Sequence, residues 1–155
     1  MNSGRSQRTP GKAFIELSQL FASPILEADG CIVVSGGADV LRHAVSFPGD
    51  PVGFEAFVNH VHLDDITDST AGRPARRDLI RIGENVIRVW SDRLRRILRG
   101  REVLFYLGGL EGVSLRLHVV RDQQANWLNL DDREFMHKEK MRVFLLTSEG
   151  LTEVF

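Results

Sequence analysis

The chain has 155 residues, of which 43% are hydrophobic and 26% charged, with a formal net charge of −1. That length suits one domain able to bury about 68–70% of its unfolded surface. No apolar run approaches the roughly 20 residues that cross a bilayer, the near-neutral charge provides no global field toward nucleic acid or membrane, and the single cysteine excludes an intrachain disulfide.

Residues 1–11 hold Gly, Ser, Arg and Pro without apolar periodicity and are expected to form a disordered tail, leaving 12–155 as a single α+β domain. The next residues carry Glu16, Ser18 and Gln19, which interrupt any secretory apolar core, so a cytoplasmic location is expected. Phe14, Leu17, Leu20 and Phe21 recur at helical spacing and predict a helix over 12–22, stopped by Pro24. Two apolar runs, 25–28 and 31–34, flank Asp29-Gly30 and predict a hairpin. Cys31 lies in the second run and reads as a buried structural thiol. Ser35-Gly36-Gly37-Ala38-Asp39 reads as a tight turn, since it lacks the glycine spacing of a phosphate loop. Residues 40–47 fit either a strand or a helix; the alternation of Leu41, His43, Val45 and Phe47 favours a strand.

Asp50-Pro51 is a helix start, with an N-cap acceptor followed by a residue that has no amide to satisfy. Phe54, Phe57, Val58 and Val61 then predict a helix over 51–60. Residues 67–75 form a polar loop with Gly and Pro.

The organising element is a helix over 76–99. Leu79, Ile82, Val86, Ile87, Val89, Trp90, Leu94, Ile97 and Leu98 fall in one arc at about 100° per residue. Arg77, Arg81, Arg88, Arg95 and Arg99 fall opposite. Between Arg73 and Arg101 ten arginines face three acids, a local charge of +7; the remaining ten basic and 18 acidic side chains carry −8. Gly83 interrupts the apolar arc, which implies either close backbone approach or a later start to the regular helix. Arg99-Gly100 ends it.

The last third reads as strands. Residues 103–107 and 113–120 form a hairpin, the second strand alternating between a buried and a wet face. Trp127 and Leu128 close a corner, 131–140 holds one or two helical turns, and 141–146 and 151–155 are further strands. The fold class expected is α+β, a mainly antiparallel sheet with the long helix across one face.

Two constellations carry chemistry. His60, His62, Asp64 and Asp65 place imidazoles one residue apart and carboxylates just after, a spacing that can ligate zinc or another divalent metal. His60, His62 and Asp64 resemble the H-x-H-x-D-H signature of the metallo-β-lactamase superfamily, with Asp65 in place of the last histidine. The resemblance implies a four-layer αββα fold and metal-dependent hydrolysis, with Asp65 as ligand or base to a metal-bound water. The second constellation is the arginine ridge of Arg77, Arg81, Arg88, Arg95 and Arg99, which fits an acidic protein surface or a second copy of the chain better than nucleic acid, because no exposed aromatic accompanies it. No complete catalytic constellation and no cofactor motif is present. The favoured expectation is therefore a non-catalytic interaction or regulatory module working through the ridge and a sheet edge, with the metal-dependent hydrolase as its rival.

Overall fold

The computed structural model describes residues 12–34, 42–44, 46–66 and 74–155. The expected tail, the turn over 35–39 and most of the loop over 67–75 lie outside these residues. In chain order the elements are α1 (Lys12–Ala22), β1 (Leu26–Ala28), β2 (Cys31–Val33), α2 (Pro51–Val58), β3 (Val61–His62), a short 3-10 turn (Leu63–Ile66), α3 (Arg76–Leu94), β4 (Val103–Gly108), β5 (Ser114–Val119), α4 (Arg133–Lys138), β6 (Arg142–Leu146) and β7 (Leu151–Glu153). The class is α+β, as the alternation of patterns predicts.

The C-terminal strands build a five-stranded antiparallel sheet in the order β3-β5-β4-β6-β7. β4 is central and buried along its whole length, and its side chains divide between two cores. Val103, Phe105 and Leu107 point toward α3, where they meet Val86, Ile87, Trp90 and Leu94. Leu104 and Tyr106 point the other way, onto Met136 of α4 and the half-buried Trp127 and Leu128. The face of β5 expected to be wet is therefore covered: His118 is fully buried, and Ser114 and Arg116 are half-buried. The segment between β5 and β6, read from sequence as turn and corner, folds back over that face as a third layer. Among the described residues the αββα arrangement implied by the histidine motif does not form: the five-stranded sheet lies between α3 on one face and α4 with the preceding loop on the other, and the second sheet is only the two-stranded β1–β2 hairpin.

The amphipathic reading of α3 holds. Trp90 and Leu94 are 0% exposed, while Arg77, Arg81, Arg88, Arg95 and Arg99 all face solvent. The regular helix ends at Leu94, and a turn carries the chain to Arg99 and Gly100, both in the left-handed region at φ 50° and 87°. Val89 differs from expectation: it sits at the margin of the apolar arc and is 37% exposed. Gly83 resolves to close approach, because a Cβ there would run into Leu107 and Leu63. α1 docks on α3: Trp90 Nε1 donates to Leu20 O at 3.2 Å, and Arg93 donates to Phe21 O at 3.1 Å.

The β1–β2 hairpin turns at Asp29-Gly30, whose φ values of 51° and 76° match the turn expected of Asp-Gly. It stays a separate two-stranded sheet. Residues 42–44 and Ser46 are helical turn rather than strand, which corrects the reading of 40–47; Val40, Leu41 and Val45 are not among the described residues. The reason is packing. A helical turn puts His43 and Phe47 on one side, and both rings meet Phe57 of α2, at 5.7 and 5.4 Å between centroids.

Candidate functional site

α2 begins as its sequence dictates, with Asp50 Oδ1 accepting from Gly53 N at 2.8 Å and proline in the first turn. It stops at Val58, two residues earlier than expected, because the Asn59 side chain is held elsewhere. His60 therefore lies outside the helix, and the extended backbone of Val61 brings His60 and His62 to the same side, with ring centroids 4.1 Å apart. The carboxylates do not follow them. Asp64 enters the 3-10 turn, where its Oδ2 accepts from Val113 N at 2.6 Å and anchors the start of β5. Asp65 faces solvent. Among the described residues no three His, Cys, Asp or Glu side chains converge so as to hold a metal ion.

The two imidazoles line an open cleft of about 450 Å³ together with Ser114, Arg116, Glu111 and Glu139. Burial, reinforced by the Arg116 guanidinium and the His62 ring, pushes His60 down to about 4, so its ring is neutral at physiological pH. Arg116 donates to Ala56 O at 2.8 Å and lies 4.6 Å from the centroid of the Trp127 ring. Behind it, His118 sits between Tyr106 and Val119. Its Nδ1 is 3.0 Å from Val119 O, a pure acceptor, so the proton resides on Nδ1. Nε2 then accepts from Tyr106 Oη at 3.0 Å and from Trp127 N at 3.3 Å. Burial pushes the tyrosine hydroxyl up and the imidazole down, so both are neutral packing groups.

The second surface is the ridge on α3. Its arginines sort by position. Arg76 donates to Gly109 O and Lys140 O, Arg93 to Phe21 O, and Arg101 to Leu98 O and Gly30 O while pairing with Glu27 at 2.5 Å; these three tie the helix to the rest of the chain. Arg77 and Arg81 stand 3.9 and 3.6 Å from Asp78, and Arg95 stands 2.9 Å from Asp92. Exposed pairs of this kind contribute about 0–1 kcal/mol and leave the ridge largely cationic. Among the described residues Arg88, Arg96 and Arg99 make no ion pair. Arg95, Arg96 and Arg99 also rim a cleft of about 190 Å³ with Thr147 and Ser148.

The polar centre of the molecule escapes a reading of the sequence. Glu55 and Asn59, one turn apart on the inner side of α2, are both 0% exposed. Glu55 Oε1 accepts from Ile32 N at 2.7 Å, and Oε2 accepts from Val119 N at 2.9 Å and from Arg121 at 2.7 Å. Asn59 Oδ1 accepts from Val34 N at 2.9 Å, while its amide donates to Ile32 O at 2.7 Å and Leu117 O at 3.5 Å. Two side chains thus replace a missing ladder between β2 and β5. Their i, i+4 spacing was the available signal, masked by the flanking aromatics.

No family model matches this sequence, no curated protein matches it, and no solved structure matches it.

Proposed function

We propose that the protein is a non-catalytic interaction module whose guanidinium ridge docks an acidic protein surface, and that this surface is supplied by a second copy of the chain. The observation that carries the proposal is the separation of charge across the sheet. Arg77, Arg81, Arg88, Arg95, Arg96 and Arg99 are exposed on the α3 side. The opposite layer, residues 127–139, holds four acidic against two basic side chains, and Asp131, Asp132 and Glu134 among them are exposed. One copy therefore presents both halves of a complementary contact, on opposite sides, which favours head-to-tail association. The cleft rimmed by Arg95, Arg96 and Arg99 is sized to admit a carboxylate side chain of the partner.

The sheet edges contribute less to this reading. β3 has two residues and β7 three, and short edges are poor templates for pairing. In addition, Arg142 holds Glu153 of β7 through two hydrogen bonds at 2.7 and 2.8 Å. No helix among the described residues is long and apolar enough to cross a membrane.

Sedimentation velocity over a concentration series tests the proposal. The expected result is reversible self-association in low salt that disappears near 1 M salt, where the screening length is about 3 Å. A chain that stays monomeric in low salt at every concentration contradicts it, as does association that persists unchanged in high salt.

A further inference from the structure

We propose that the cleft bounded by His60, His62, Ser114 and Arg116 is a binding site for a small phosphate monoester. The site lies apart from the ridge and does not depend on it. It is built where β3 meets the start of β5: Val61 pairs with Leu115 and His62 with Ser114, which sets two imidazoles beside a hydroxyl and, two residues further along the same side of β5, a guanidinium.

The chemistry of the lining points to an anion. Arg116 is half-buried, yet among the described residues no carboxylate pairs with it. Its protein partners are a backbone carbonyl and an aromatic face. A guanidinium carries five N–H donors, and Ala56 O engages one of its nitrogens, so much of its donor capacity is open. A cation withdrawn from water without a counter-charge is costly, and an oxyanion brought into the cleft relieves that cost. Ser114 Oγ makes only a 3.3 Å bond to Gly108 O and can rotate toward a ligand. Along the loop that follows β4, the backbone amides of Leu110, Glu111 and Gly112 make no hydrogen bond to a described residue. The two imidazoles, with ring centroids 4.1 Å apart at the mouth of the cleft, complete the set of donors.

The volume and the remaining groups define the class further. A cleft of about 450 Å³ exceeds what inorganic phosphate fills. Glu111 and Glu139 also line it and repel a second anionic group, but accept hydrogen bonds from hydroxyls. The occupant is accordingly a singly phosphorylated, hydroxyl-bearing small molecule, with its phosphate toward Arg116 and the histidines.

The test follows the imidazole carbon-bound proton resonances of the full chain by NMR during titration with glycerol 3-phosphate and with inorganic phosphate. Glycerol and sodium acetate at matched ionic strength serve as controls. The proposal expects saturable shifts of the His60 and His62 signals with both phosphates, tighter with the ester, and none with the controls. His62→Ala removes an exposed ring and should weaken binding at least fivefold with the fold intact; Arg116→Gln should abolish it. Should Arg116→Gln fail to fold, His62→Ala decides alone. Arg88→Glu with Arg95→Glu must leave the shifts unchanged. Absence of saturation, equal shifts with acetate, indifference to His62→Ala, or loss of the effect in the ridge variant each overturns the proposal. So does a response of both rings to stoichiometric zinc with none to phosphate.

Discussion

Glu55 shows what one residue does when the backbone leaves two strands unjoined. Its carboxylate takes three donors from β2, β5 and Arg121, so it satisfies in one place what a ladder would satisfy in several. Glu55→Gln would turn an amide against those donors. The expected loss is roughly 3–5 kcal/mol by urea denaturation, the range for breaking a buried, hydrogen-bonded charge pair. Ser91 is the opposite case. Its hydroxyl is buried inside α3 without a hydrogen-bond partner among the described residues. Ser91→Ala should raise stability by about 1 kcal/mol, since it removes an unsatisfied group and improves helix propensity. His60 gives a pH dependence. Burial, with Arg116 and His62, holds it at about 4 against an ordinary 6.5. Between those values the unfolded chain binds a proton that the folded chain refuses, so stability is complete above pH 6.5 and falls as pH drops toward 4. His118 is pushed down by burial and acts in the same direction. Melting temperature followed from pH 7 to 4 should fall less steeply in His60→Gln than in the parent. None of these three roles was legible in the sequence. Phe57 looked like core and is 52% exposed, while Glu55, two positions earlier, is sealed. The partners that decide this, Ile32 and Val119, are remote in the chain, and periodicity carries no record of them.

At the scale of elements the sequence was more readable, and α3 shows why. A 19-residue amphipathic helix repeats its signal over five turns, so the buried and wet sides separate whatever the neighbours are. Residues 40–47 are too short for that; two spacings fit, and contact with Phe57 chose between them. The covering of β5 was hidden for a related reason. Ser114, Arg116 and His118 are polar types that usually face water, and here the layer after β5 seals His118 and leaves Ser114 and Arg116 half-buried at the edge of a cleft. Gly83 is a point of close approach between helix and sheet. Gly83→Ala should destabilise by roughly 1–3 kcal/mol despite the better propensity of alanine, because Leu107, buried near the end of β4, must move. A thermal melt reads the sign directly, and a stabilised variant would show that α3 stands further from the sheet. The same part of the helix–sheet contact is fastened by Arg142, the cross-strand partner of Leu107, which pairs with Glu84 of α3 and with Glu153 of β7. The carboxylate of Glu153 is held below its usual range mainly by this hydrogen-bonded guanidinium.

The whole molecule is a sheet between two unlike layers, one cationic and one acidic. Composition reveals the imbalance between α3 and the remainder, but not that the acidic stretch after β5 lies on the far side of the sheet; that follows from β4 sending alternate side chains to two cores. The placement is what makes self-docking plausible in physical terms, since neither charge can neutralise the other within one copy. Charge reversal followed by mixing tests it most directly. Arg88→Glu with Arg95→Glu removes the ridge, and Asp131→Lys with Glu134→Lys removes the acidic layer while sparing Asp132, which caps α4 through Phe135 N. In low salt each variant alone should sediment as a monomer, and an equimolar mixture of the two should associate at least as strongly as the parent chain. A mixture that remains monomeric while the parent associates, or variants that associate on their own, would contradict docking between these two surfaces.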